Sequence, residues 1–195
     1  MRSKSFGGLL ALTLLSGPMA APAATLHVDG NGILTGASGV NVGGTLYDVR
    51  LADGSCVSLF TDCDDAAQDF AFTSSSAASL AAQALLDQVF IDAIHGQFDS
   101  QPDLTHGCGL PGFCSTYTPY ATTEGVVAIV SAENFFSGID SVIEIPIPSA
   151  FDTAPLSSTT FAVWSAATVP APGTLGLLVL GLIGGAVTRR PRVAR

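Results

Sequence analysis

Four cysteines stand as two close pairs, Cys56 with Cys63 and Cys108 with Cys114, and thiols this near in sequence can close short loops as disulfides. Four cysteines allow three pairings, and proximity favours the local one. A rival chemistry is present at His106 and Cys108, since His-x-Cys can ligate zinc, although no Cys-x-x-Cys accompanies it. Asp62, Asp64 and Asp65 crowd the first cysteine loop as candidates for calcium, the one cofactor the chain suggests, because a hard cation takes carboxylate oxygens. Asp29-Gly30-Asn31-Gly32 also opens like a calcium loop, but Ile33 occupies the fifth place, where an oxygen is needed. Glu124, Glu133 and Glu144 lie on or beside predicted strands, and two of them facing each other would suit glycoside hydrolysis. Serine, histidine and aspartate all occur, yet no Gly-x-Ser-x-Gly turn singles out a nucleophile, and no glycine-rich phosphate loop is present. His27 and His95 have no partner visible in the sequence and read as ordinary surface residues. No residue is therefore assigned a catalytic role.

The elements that must position these groups read mostly as strands. Residues 26–28, 36–42 and 45–51 are short runs divided by Asp29-Gly30-Asn31-Gly32 and Gly43-Gly44, which mark tight hairpins. Tyr47, Val49 and Leu51 alternate with Asp48 and Arg50, so this strand buries one face and wets the other. A further strand is expected at 56–60. From 76 to 94, Leu85, Leu86, Val89, Phe90, Ala93 and Ile94 recur at helical spacing, with serines 74–76 for an N-cap and Gly96 as a stop. Beyond the second cysteine loop, 125–132, 141–147 and 159–165 complete the set. The first of these is apolar enough for a strand buried on both faces, while Pro146 and Pro148 place the end of the second at an edge. The expected domain is α+β or mainly β, an antiparallel sheet of six or seven strands with one long helix packed on it and two local disulfides.

The two ends carry addresses. Arg2 and Lys4 precede an apolar run, Gly17 and Pro18 break it, and Ala21-Pro22-Ala23 offers small residues to signal peptidase, so 1–23 reads as a secretory signal peptide. At the other end, 173–188 is free of charge and dominated by Leu, Val, Ile and Gly. As a helix it spans roughly 24 Å, short for a hydrocarbon core of about 30 Å but able to insert as a transmembrane helix if its flanks contribute. Arg189, Arg190, Arg192 and Arg195 follow and hold the tail on the cytoplasmic side, which puts everything upstream outside. The domain between, 24–167, keeps Arg50 alone against all 16 acidic residues, a formal charge of −15. Such a surface repels polyanions and excludes nucleic acid as a partner.

Val169-Pro170-Ala171-Pro172, a Gly/Leu-rich apolar segment and an arginine cluster, in that order at 168–195, resemble the PEP-CTERM sorting signal of Gram-negative bacteria. The family pattern carries Glu where this chain has Ala171. The resemblance implies processing by an exosortase, a membrane protease-transpeptidase, with the protein held at the inner membrane and then passed to the surface or medium. It also implies an association with extracellular polysaccharide. The expectation is an exported, non-catalytic surface or matrix-associated protein; the alternative is a glycan-active enzyme anchored by the same signal.

Overall fold

The computed structural model describes residues 23–168. The predicted signal peptide up to residue 22, the motif Val169 to Pro172, the apolar segment and the four arginines lie outside the described residues.

Nine strands and three α-helices make up the described part. A seven-stranded sheet has the order β1-β2-β3-β9-β6-β7-β8, with β1 Thr25–Val28, β2 Leu34–Val42, β3 Thr45–Ala52, β6 Phe113–Thr123, β7 Val126–Phe135, β8 Ser141–Pro148 and β9 Thr159–Ala166. The strands β4 Asp92–Ala93 and β5 Gly96–Gln97 form a separate hairpin, with His95 exposed in its turn. Hairpins form where the Gly-rich turns stand: Asp29 closes the first, its carboxylate accepting from the backbone N–H of Asn31 at 2.8 Å and of Ile33 at 2.9 Å. The same carboxylate that opened a calcium-like sequence is thus spent on the turn.

At β7 both faces of the sheet are covered, which is why this strand reads as an almost unbroken apolar run. Its Val130 and Ala132 point to one core with Leu34, Ala37, Val40, Val49 and Leu51; Val127 and Ile129 point to the other with Phe70, Tyr117 and Phe161. The first core is roofed by α3, Ser75–Gln88, whose Ala78, Ala81, Ala82, Leu85 and Leu86 are buried. Ser74 caps it by accepting from Ala77 N–H. The second core lies under the short helices α1, Cys56–Leu59, and α2, Ala66–Asp69, with the Cys56–Cys63 disulfide tying α1 to the loop between them. Trp164 sits in the first core and donates its indole N–H to Thr118 Oγ1 at 3.1 Å, so its one polar atom is satisfied.

Four expectations are corrected. The sheet is mixed, because β9 pairs antiparallel with β3 but parallel with β6, Ser115 to Tyr117 alongside Thr159 to Phe161. Residues 56–60 are helix rather than strand: Ser55 and Ser58 close a capping box and start a turn that the cysteine loop then ends. The strand β6 occupies residues to which the sequence assigns no element, between the second cysteine loop and the strand expected at 125–132. Finally, α3 stops at Gln88; Val89 and Phe90 extend its apolar rhythm because they are core residues, not because they are helical. Pro146 and Pro148 do lie on an outer strand, β8. Among the described residues no helix is long and apolar enough to cross a membrane.

Candidate functional site

The predicted site residues separate cleanly into fasteners and loose ends. Cys56 is bonded to Cys63 and Cys108 to Cys114, with Cα separations of 5.6 and 5.7 Å. With Cys108 oxidised, no thiolate remains beside His106 for zinc. Asp65 caps α2 by accepting from Ala67 N–H at 3.0 Å, and the loop is held by Asp69, which accepts from the N–H groups of Asp64 and Asp65. Asp62 and Asp64 line an open cleft with Glu124, but among the described residues no three such side chains converge on a point where a metal ion would sit.

The three glutamates do not face one another. Across β7 and β8, Val130 pairs with Glu144 and Glu133 with Ser141, so Glu144 shares a face with Val130 and Glu133 lies on the opposite one. Glu124 occupies the β6–β7 turn, at the far end of β7 from Glu133. Glu133 is buried and accepts from Ser115 Oγ at 2.6 Å and from Ser131 Oγ. Burial first, then the Glu133 charge, pushes the Tyr117 hydroxyl above its ordinary range. This is a satisfied polar cluster sealed from substrate. Glu144 is exposed and accepts from Ser75 Oγ at 2.6 Å and from Tyr120 Oη. Those two bonds, the serine's first, hold its carboxyl below the usual value of 4.5.

A further open concavity among the described residues lies on the outer face of the β1-β2-β3-β9 end of the sheet. It has a volume of about 650 Å³. His27 on β1 pairs with Gly36 on β2, Gly36 with Arg50 on β3, and Arg50 with Val163 on β9, forming one cross-strand row with all four positions on the same face. The row beside it carries Ser38, Asp48 and Ser165. Two irregularities in β2 shape the floor. The register slips at Thr35, whose hydroxyl donates to the His27 carbonyl at 3.1 Å, and again at Ser38 and Gly39, where Gly39 N–H donates to Asp48 Oδ1 at 2.9 Å. Each slip places its extra residue on the groove side.

Gly36 lets β3 lie close against β2 beneath this row. A Cβ there would stand 2.2 Å from the Val49 carbonyl oxygen, and its φ of 153° disfavours any side chain. His27 Nε2 and Ser38 Oγ are 2.9 Å apart, and His106 enters from a loop docked on β2 through its own N–H to Leu34 C=O. A serine and a histidine in contact suggest nucleophilic catalysis, but among the described residues no carboxylate hydrogen-bonds to the His27 ring, while Asp48 is engaged by Gly39 N–H. Sequence reasoning treats His27 as partnerless because the bulges that bring Ser38 beside it leave no sign except two glycines in β2.

The described residues thus form a β-rich, disulfide-stapled domain with an open groove on the outer face of its sheet. No protein-family model, curated protein or solved structure matches the chain.

Proposed function

We propose that this chain is an exported, non-catalytic surface or matrix-associated protein, delivered by its N-terminal signal peptide and sorted by its PEP-CTERM-like end. The observation that carries the reading is the oxidation of all four cysteines in local pairs, the state expected of a domain that matures outside the cytoplasm. The charge agrees: with Arg50 the only Lys or Arg between the two terminal segments, the domain stays soluble outside the cell and repels polyanions. In this proposal 173–188 spans the inner membrane with Arg189, Arg190, Arg192 and Arg195 inside, and an exosortase-type enzyme cuts near Pro170 to Pro172. The anchor is then temporary, and the product reaches the surface or its polysaccharide.

Two epitope tags test this. With one tag after Ala24 and one at the C-terminus, the first appears outside on a product shorter by about 25 residues, as residues 170–195 require, while the second stays with the inner membrane. One full-length membrane species carrying both tags, in a host that has the processing enzyme, would mean that Ala171 defeats processing and that the protein is a permanent single-pass anchor.

A further inference from the structure

We propose that the outer groove lined by His27, Arg50 and His106 is a binding site for a small hydroxylated carboxylate of the sugar-acid class, with Arg50 taking the carboxylate. The argument begins with charge. The domain has a single Lys or Arg, Arg50, and three histidines, and of these four Arg50, His27 and His106 line one groove. In a domain of formal charge −15, that convergence creates its one place suited to an anion. Arg50 is exposed, and no ion pair within 4 Å occupies it among the described residues, so its planar fork is available for bidentate contact with a carboxylate.

The other lining groups specify what accompanies the charge. Asp48, Ser38 and Ser165 stand in the next row, and Asp48 retains acceptor capacity beyond its one bond to Gly39 N–H. A second carboxylate on the ligand would meet Asp48 with like charge; hydroxyls would meet it as donors. His27 and Arg50 flank Gly36 on the adjacent strands β1 and β3, roughly 10 Å apart at the Cα atoms given a spacing of about 4.8 Å between strands. The surrounding charge argues against a long polyanion, whose further carboxylates would approach the remaining acidic surface. The site therefore suits a monomer or a chain end, with one carboxylate and several hydroxyls.

This inference goes beyond the sorting reading and does not depend on it, since an unprocessed chain has the same groove. The test is calorimetric titration of the full chain, produced through its own leader and held in detergent, with D-glucuronate, D-glucose, acetate and an acidic peptide. Glucuronate is expected to bind at least about tenfold more tightly than glucose or acetate, because only it offers both the charge and the hydroxyls. Arg50→Gln should weaken it about tenfold or more and Arg50→Lys by less, with the melting temperature unchanged because Arg50 is exposed. Val163→Glu provides a second variant: it sets a carboxylate directly across from Arg50 in a favourable cross-strand pair, so the fold is kept and the ligand is displaced. The proposal is overturned by an absence of heat up to about 20 mM glucuronate, or by binding indifferent to both variants. Acetate binding equal to glucuronate would make it a plain anion site, and preference for the peptide would make it a protein-docking site; either result also overturns it.

Discussion

At the scale of single residues, Gly36 bears the most structure. It sits between the two register slips of β2, and there the β3 backbone comes so close that a methyl group would overlap the Val49 carbonyl. Gly36→Ala should therefore destabilise the domain by about 1–3 kcal/mol, read as a fall in melting temperature, whereas alanine at Gly30, with open space around it, should be close to neutral. Equal tolerance at both positions would show that β2 and β3 can part there. Glu133 supports a second test. Its buried carboxylate relies on Ser115 and Ser131, and Ser131→Ala would leave it one donor short at a cost of about 1–3 kcal/mol by chemical denaturation. Restoration of stability in Ser131→Ala by Glu133→Gln would show that the loss arises from the charge. The turn at Asp29 is legible from sequence because it follows from local chemistry, an Asp-Gly-Asn-Gly run between two strands. The burial of Glu133 is not, since a carboxylate on a strand looks the same whether its face is wet or roofed.

Between elements, the clamp from α3 to the outer strand β8 is made by Ser75, Glu144 and Tyr120. Glu144 titrates below its usual 4.5, so the folded state favours its charged form. The stabilisation is present above 4.5 and is lost as the pH falls through the depressed folded value. Hydrogen exchange should accordingly show the first turn of α3 opening faster at about pH 3 than at pH 6, and Glu144→Gln should flatten that difference. An equal pH response in wild type and variant would remove Glu144 as the cause. Element identity is legible where a single local rule operates, as in the hairpins around Gly43-Gly44 or the Ser74 cap. It fails where topology decides. β6 contains Pro119 at a register slip and follows a disulfide loop, so it reads as irregular until β7 and β9 pair with it on both sides. The strand count of seven holds only because the misread 56–60 offsets the missed β6. The parallel β6–β9 contact has no local signature, since β9 reaches it from 24 residues beyond β7.

For the molecule as a whole, charge and cross-links act in opposite directions. A domain with 16 acids and one arginine repels itself, so melting temperature should rise as salt is raised from about 10 mM to 0.5 M, with most of the gain once the screening length falls near 10 Å. A flat curve would mean that the acids are too dispersed to matter. The two disulfides oppose that repulsion at different places. Cys56–Cys63 ties α1 to the loop before α2, over the second core, while Cys108–Cys114 holds the start of β6, beside the contact that Cys108 makes with Ser158. Loops this short contribute roughly 2–3 kcal/mol each in the chain-entropy account, about 5–10 °C of melting temperature for a domain of this size. Replacing Cys56 and Cys63 by serine should therefore lower the melting temperature by about that much and increase exchange in α1 and α2, leaving β6 protected. Replacing Cys108 and Cys114 should lower it similarly and fray β6 from Phe113. Because the seven-stranded sheet has a core on each face that neither bridge crosses, either variant should still unfold in one cooperative transition. If one pair alone abolishes folding, that bridge closes the sheet rather than a loop, and the independence of the two staples is wrong.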